Sequence, residues 1–316
     1  MIAPGRHVVI AVGGNAAYPP NIKGLAEEQL ALMDTMCEHF VKMIEAGYRP
    51  ILTHGNGPVV GNILFRMART ARELPPMPMD VCVAHSQGGM GYMLQQTLRN
   101  VLLRHRIEAD VAAIVTEVEV DADDPAFGAP TKPVGRFISR DDASALSEEL
   151  GWHFIEDSGR GYRRVVPSPA PKRILGLAAL RALIERDVIP IVAGGGGIPV
   201  VREHSGEIHG VPAVIDKDLT SAMVAAAIGA EHFMMLTGVE RVALDFGKPS
   251  QRYVDRLSAA DARRNLEEGQ FPPGSMGPKI EAALRYLELG GSCALITSLD
   301  TAFGALAGRA GTRIEP

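Results

Sequence analysis

Val8-Val9-Ile10-Ala11-Val12-Gly13-Gly14-Asn15 decides the fold class. The run is apolar at every position rather than at alternate ones, and most of its residues are β-branched. A strand with one wet face alternates; a strand that is apolar throughout has both faces covered, as in a parallel sheet sandwiched by helices. Gly13-Gly14 ends the run in a turn at the strand's carboxyl end, where ligands of open α/β sheets sit.

The same rhythm repeats outward from this strand. Gly24 to Ala46 carries helical spacing (Leu25, Leu32, Met36, Met43) and stops at Gly47, a C-cap signal. Ile51 to Thr53 is a second strand closing on glycines, Gln87 to His105 a long helix, and Val111 to Val118 a strand. Further on, Arg173 to Arg186 is helical, Val188 to Ala193 a strand, Lys217 to Ile228 an Ala-rich helix and His232 to Thr237 a strand. Pro278 to Leu289 is then a helix, Ser292 to Thr297 a strand, Ser298 to Ala307 a helix, and Thr312 to Ile314 a closing segment. Ile198 to Val201 followed by Ser205-Gly206 reads as a hairpin near the sheet edge. This alternation predicts an α/β fold with a mainly parallel sheet and helices on both faces.

Residues 119–165 break the rhythm with Asp121, Asp123, Asp124, Pro125, Pro130, Pro133, the only Trp (Trp152) and Gly159-Arg160-Gly161-Tyr162-Arg163-Arg164. An excursion of this length inside a compact domain reads as a protruding lid subdomain, or as a surface insertion without function. We expect one domain over residues 1–316 with 119–165 inserted in it.

Bulk properties exclude several classes. A net charge of −5 without a basic stripe gives no electrostatic footprint for nucleic acid or an anionic membrane. No apolar stretch approaches membrane-spanning length, and the N-terminal apolar run is too short for a signal peptide, so a cytoplasmic protein is expected. Cys37, Cys82 and Cys293 are odd in number and widely spaced, which argues against a disulfide framework or a zinc site.

The chemistry lies in three lysines, each within a turn-rich segment: Lys132 in Pro-Thr-Lys-Pro, Lys217 in Ile-Asp-Lys-Asp and Lys279 in Gly-Ser-Met-Gly-Pro-Lys. Glycine clusters accompany them at 13–14, 55–57, 88–89 and 194–197. Backbone N–H groups freed by glycines, with lysines as point charges, are what phosphoryl transfer requires, since positioning and charge neutralisation supply most of its catalysis. Gly13-Gly14-Asn15 and Gly55-Asn56-Gly57 would form opposite walls of one pocket, although each also reads as a tight turn needing positive φ. Asp218 could cap its helix and hold two lysines in register, and capping alone would explain Asp216. Gly274 to Lys279 is an anion site with a cation attached, its Pro278 suited to a first helical turn. His54 reads better as a structural hydrogen-bonder than as a base, because transfer to an anionic oxygen needs none. The dinucleotide pattern fails at Gly194–Gly197, where Pro199 replaces the third glycine and strand rather than helix follows. Gly247-Lys248-Pro249 is no P-loop, and Asp121–Asp124 lacks the glycine and the bidentate Glu of a calcium loop.

Together, Val12–Asn15, Thr53–Pro58, Ser86–Gln96, Asp123–Pro133, Gly159–Pro169, Gly194–Val200, Ala213–Leu219 and Gly274–Lys279 resemble the carbamate kinases, in order and over nearly the whole chain. The resemblance implies the amino-acid-kinase fold: one open, eight-stranded, mainly parallel sheet with a protruding subdomain, assembled as a homodimer. It implies reversible phosphoryl transfer between ATP and carbamate, usually run from carbamoyl phosphate and ADP towards ATP. By position it assigns Gly13, Gly14, Asn15, Gly55 and Asn56 to the carbamoyl or carbamate group. Lys132, Lys217 and Lys279 go to the transferring phosphoryl group, with Asp218 orienting the latter two. The nucleotide would be bordered by Leu236, Thr237, Gly238 and Tyr253, and by Gly274, Ser275, Met276 and Pro278. Mg²⁺ would travel with ATP or ADP, held by phosphate oxygens and water, with no protein metal site.

Two departures stand out. Gly238 replaces the family's Asp after Leu-Thr, and Val59 replaces its Gln after Gly-Asn-Gly-Pro. They leave open a kinase of the same fold for another small carboxylate or phosphonate, and a binding homologue without turnover.

Overall fold

The computed structural model describes residues 6–13, 19, 22–157, 159–272 and 274–316. Its centre is an eight-stranded sheet. In chain order the strands are β1 (Arg6–Val12), β2 (Tyr48–His54), β3 (Val111–Ala113), β4 (Ile189–Ile191), β5 (His232–Leu236), β6 (Arg256–Ser258), β7 (Ala294–Thr297) and β8 (Thr312–Glu315). Their order across the sheet is β6-β8-β7-β5-β1-β2-β4-β3. From β7 to β3 every pair is parallel; β8 runs antiparallel to β7, and β6 parallels β8. The expected class of sheet is therefore the one found.

The first strand explains why. Val8, Ile10 and Val12 point into one apolar cluster, Val9 and Ala11 into another, and none of the five is more than 1% exposed. The cluster on the first face is closed by α1 (Ala26–Glu45), α3 (Met79–Arg104) and α9 (Ala302–Leu306). The other is closed by α5 (Leu177–Glu185), α6 (Lys217–Ile228), α7 (Ala259–Glu267) and α8 (Gly277–Glu288). Between α1 and α3 lies α2 (Gly57–Thr70), whose apolar stripe of Val60, Ile63, Leu64 and Met67 the sequence reading passed over. Between α3 and α5 lies α4 (Arg140–Leu150), started by the Ser139 side chain accepting from the Asp142 N–H.

Three expectations need correction. The Val111–Val118 run is two strands: β3 ends at Ala113, and Glu117–Val120 belongs to a separate four-stranded sheet. The change of sheet is fixed at Thr116, whose N–H and C=O both bond the buried amide of Gln87. The hairpin of Ile198–Arg202 and Ile208–Gly210 joins that second sheet rather than the main one. Arg173, expected in a helix, lies in the strand Pro171–Ile174 of the same sheet.

Residues 132–166 form a third unit, a three-stranded antiparallel sheet of Lys132–Ile138, Tyr162–Val166 and Phe154–Glu156 with α4 beside it. It meets the main body at α2, where Gly61 and Gly135 approach backbone to backbone.

Because β2 lies on one side of β1 and β5 on the other, the strand order reverses at β1. The crevice beyond the carboxyl ends of these strands is the topological switch point of the sheet.

Candidate active site

At that switch point the turns after β1 and β2 are tied together, the Gly55 N–H donating to the Val12 carbonyl at 2.9 Å. Gly13 lies beside the Leu236 carbonyl at the end of β5. Gly14 and Asn15 fall outside the described residues. Asn56 is buried and donates to Ser86 Oγ at 2.7 Å, which in turn donates to the Val83 carbonyl.

The Gly194–Gly197 loop closes over these turns with almost no clearance. A Cβ at Gly195 would overlap the Asn56 amide, one at Gly194 the His54 ring, and one at Gly196 the Ile215 carbonyl. Gly195, Gly196 and Gly197 all have positive φ, a conformation that L side chains rarely adopt. Sequence reasoning counted this run among the glycine clusters suited to phosphoryl transfer and rejected it as a dinucleotide motif. It is the wedge that brings the β2 turn against the start of α6, where Thr220 Oγ1 donates to the Gly196 carbonyl at 2.8 Å.

The start of α6 carries the charges. Asp216, not Asp218, is the N-cap: its Oδ1 accepts from the Asp218 and Leu219 N–H groups. Its other oxygen pairs with Lys132 Nζ, which arrives from the 132–166 unit. Asp218, 4% exposed, is left free for a different task. One oxygen takes Lys217 Nζ at 2.5 Å, the other Lys279 Nζ at 2.8 Å. Lys279 comes from the first turn of α8, behind Pro278. Asp216 is the one charged member of this group that sequence reasoning missed, since a capping role accounted for it; no sequence signal placed Lys132 opposite it.

Burial of a charged cluster costs free energy unless the charges meet partners, and the protonation equilibria follow. Burial alone would raise the carboxyl of Asp218, but Lys217 and Lys279 outweigh it and hold the group ionised, far below the usual carboxylate range. Burial pulls the Lys217 ammonium down, Asp218 opposing and Lys279 assisting. For Lys279 burial acts in the same sense, but Asp218 prevails and the pKa is raised. Asp216 is likewise pressed upward by burial and drawn below its ordinary value by Lys132. Three ammonium groups thus face the crevice against two carboxylates. His54 is driven down to about 4 by burial, with the Gly55 backbone in partial opposition, so it is a neutral imidazole at neutral pH.

The position of Lys132 is set by its own unit. Arg163 donates to the Pro133 and Gly135 carbonyls and pairs with the buried Asp157 at 3.1 Å.

The segments assigned to the nucleotide lie on several elements. Leu236 is buried at the end of β5, and Thr237 donates its N–H to the Thr297 carbonyl at 2.9 Å. Gly238, Gly274 and Ser275 are exposed, and a side chain at Gly238 would meet open space. Met276 leads into α8, its carbonyl accepting from the Lys279 N–H. Tyr253 lies on the hairpin of Val242–Leu244 and Arg252–Val254, 63% exposed, with Gln251 its hydrogen-bond partner. Val59 packs against the cluster under α1 and α3.

A family model described as the amino acid kinase family matches residues 6–298. The chain belongs to the amino acid kinase family. Among its relatives in that family, the carbamate kinase of Pyrococcus furiosus is 45% identical over 314 residues, covering 99% of this chain and 100% of the relative. The carbamate kinase-like protein YahI of Escherichia coli is 46% identical over 310 residues, 97% of this chain and 98% of that one. Among solved structures of the family, carbamate kinase from Giardia lamblia bound to citric acid superposes with a TM-score of 0.94 at 40% identity, covering 100% of this chain and 99% of that one. The same Giardia enzyme bound to AMP-PNP gives a TM-score of 0.88.

Proposed function

We propose that this protein is a phosphotransferase that exchanges a phosphoryl group between ATP and carbamate, working chiefly from carbamoyl phosphate and MgADP towards ATP. The observation that carries the proposal is the single buried carboxylate of Asp218 holding two ammonium groups from different helices, with Lys132 brought in beside them. A protein that only binds an anion has no need of several charges held this rigidly; a phosphoryl group in flight does. Identities of 44–46% to relatives named carbamate kinase or carbamate kinase-like support the choice of substrate.

In the synthetic direction a β-phosphate oxygen of ADP attacks the phosphorus of carbamoyl phosphate. The bond from phosphorus to the carbamate oxygen breaks, and carbamate leaves with the electron pair. Both attacking and leaving oxygens are anionic, so no proton moves and no general base is needed. That agrees with a neutral His54 wedged against Gly194. Lys217 and Lys279 would neutralise the equatorial oxygens, and Lys132 would complete the clamp from the 132–166 unit, which we propose acts as a lid. Gly13, Gly14, Asn15, Gly55 and Asn56 would hold the carbamoyl end. Leu236 to Gly238, Tyr253 and Gly274 to Pro278 would border the nucleotide.

Mg²⁺ enters as part of MgADP. Among the described residues no group of three or more His, Cys, Asp or Glu is arranged to hold a metal, and Asp216 and Asp218 are engaged with lysines. A donor set of this kind fits an ion carried by phosphate oxygens and water. No helix of the described residues is long and apolar enough to cross a membrane. A homodimer is supported by the exposed side chains of Tyr92 and Val115, at 60% and 61%, beside the edge strand β3.

The test is ATP formation from carbamoyl phosphate and MgADP by the purified protein, followed by luciferase, with Lys217→Ala as background. Rapid lysine-dependent ATP production is expected. Folded protein that makes no more ATP than the mutant would rule the proposal out.

A further inference from the structure

A cavity of about 780 Å³ opens far from the lysines, along β8 and α9. Arg6 at its rim opens β1, whereas the catalytic turn follows the other end of that strand, about 20 Å away at the usual rise per residue. Five guanidinium groups line the cavity, those of Arg6, Arg241, Arg256, Arg309 and Arg313, against the carboxylates of Asp255 and Glu315. The chain as a whole carries −5, so this concentration of positive charge runs against its own average.

The arginines are not equally committed. Arg241 is neutralised by Glu240 at 3.2 Å and Asp255 at 3.1 Å, and forms wall rather than donor. Arg6 stacks over the Tyr48 ring at 4.4 Å, with Glu231 no nearer than 3.9 Å. Arg256 and Arg313 are direct register partners on β6 and β8. Like charges placed opposite each other across a ladder are destabilising. Both lean on one carboxylate, Glu315, at 2.5 Å and 3.3 Å, which leaves one positive charge in excess. Arg309, in the loop after α9, is exposed and has no ion pair among the described residues.

We propose that this cavity is a second anion site, which takes a small multiply charged oxyanion of the phosphate class through Arg256, Arg309 and Arg313. Guanidinium forks match phosphate oxygens in pairs, and a bound anion would relieve the Arg256–Arg313 repulsion. A volume of 780 Å³ lies within the range of small-molecule sites, and Phe303 and Leu306 provide one apolar wall for the remainder of such a ligand.

The probe is pyrophosphate, titrated calorimetrically into full-length Lys279→Ala protein so that the catalytic clamp contributes less. Saturable binding is expected there, weakened tenfold or more when Arg256→Gln and Arg309→Gln are added. In the otherwise wild-type chain the same two changes should leave the melting temperature and the ATP-forming rate unaltered. Should that pair of changes disturb the fold, Arg309→Gln alone, at an exposed position, is expected to weaken binding at least threefold. Unchanged affinity in the folded arginine variants overturns the proposal. So does an equal response to acetate at matched ionic strength, which would mean general screening rather than a site.

Discussion

Gly61→Ala is the sharpest test of how the lid is placed. Gly61 lies in the interior of α2, where alanine ordinarily stabilises a helix by about 1 kcal/mol over glycine. Here the added Cβ would stand 2.8 Å from the Val134 carbonyl carbon and closer still to the Gly135 backbone. Comfortable carbon–carbon contact begins at about 3.5 Å, so the shortfall is at least about 0.7 Å. The obstacle is backbone, which has no rotamer to yield, so the strand Lys132–Ile138 must retreat from α2 by roughly an ångström. Lys132 lies three residues along that strand from Gly135. Displacing a catalytic group by about 1 Å costs on the order of 10²-fold in rate. Overpacking of this kind also destabilises by about 1–3 kcal/mol. The expected result is kcat for ATP formation reduced about a hundredfold, KM for MgADP changed less than threefold, and a lower melting temperature. A variant as fast as the wild type, or more heat-stable than it, would mean the lid does not rest on this contact.

Lys217→Ala and Lys279→Ala should each lower kcat by two orders of magnitude or more in folded protein, since losing one preorganised charge costs about 3–4 kcal/mol of barrier; near-wild-type turnover in both would remove their assigned role. Lys132→Ala should affect kcat and the apparent KM for carbamoyl phosphate together, because a lid residue governs closure as well as chemistry; a change in kcat alone would argue against the lid. For pH, His54 is pulled down to about 4 in the fold. Between pH 6.5 and 4 the unfolded chain therefore binds a proton that the native state refuses, so His54 contributes full stability above about pH 6.5 and loses about 3 kcal/mol on descending to pH 4. Denaturant titrations at several pH values should show this slope, and His54→Asn should flatten it. Cys37, Cys82 and Cys293 are at most 4% exposed and burial raises all three thiols, so iodoacetamide should leave the ATP-forming rate untouched, as a progress curve would show.

Where one physical pattern dominated, the sequence was legible. Val8–Val12 announced a strand covered on both faces, and Lys217–Ile228 matched its helix end to end, because an Asp cap precedes it and Gly229 in the left-handed region stops it. Elements whose stability comes from long-range contacts were not legible. The break after Ala113 depends on Gln87, which is 29 residues from Thr116. Helix α2 did carry a legible pattern, Val60, Ile63, Leu64 and Met67 at helical spacing, but the glycine turn before it drew the reading instead. In the site, the three lysines and Asp218 were found from motif and charge. The pairing of Lys132 with Asp216 was not, because it spans 84 residues and unites two separate units of the fold.

The shared carboxylate has one further consequence. Lys217 and Asp218 open α6, while Lys279 opens α8, so the spacing of the two proposed clamps on the phosphoryl group is the spacing of two helices. These helices pack against each other, and Ala222 and Ala225 on one and Ala282 and Ala283 on the other are fully buried in the apolar cluster they share. The methyl groups work as a caliper set well behind the chemistry. A random screen for inactive variants should therefore return bulky replacements at these alanines beside the lysines themselves, with rates lost through a spacing error while every charged group is still present.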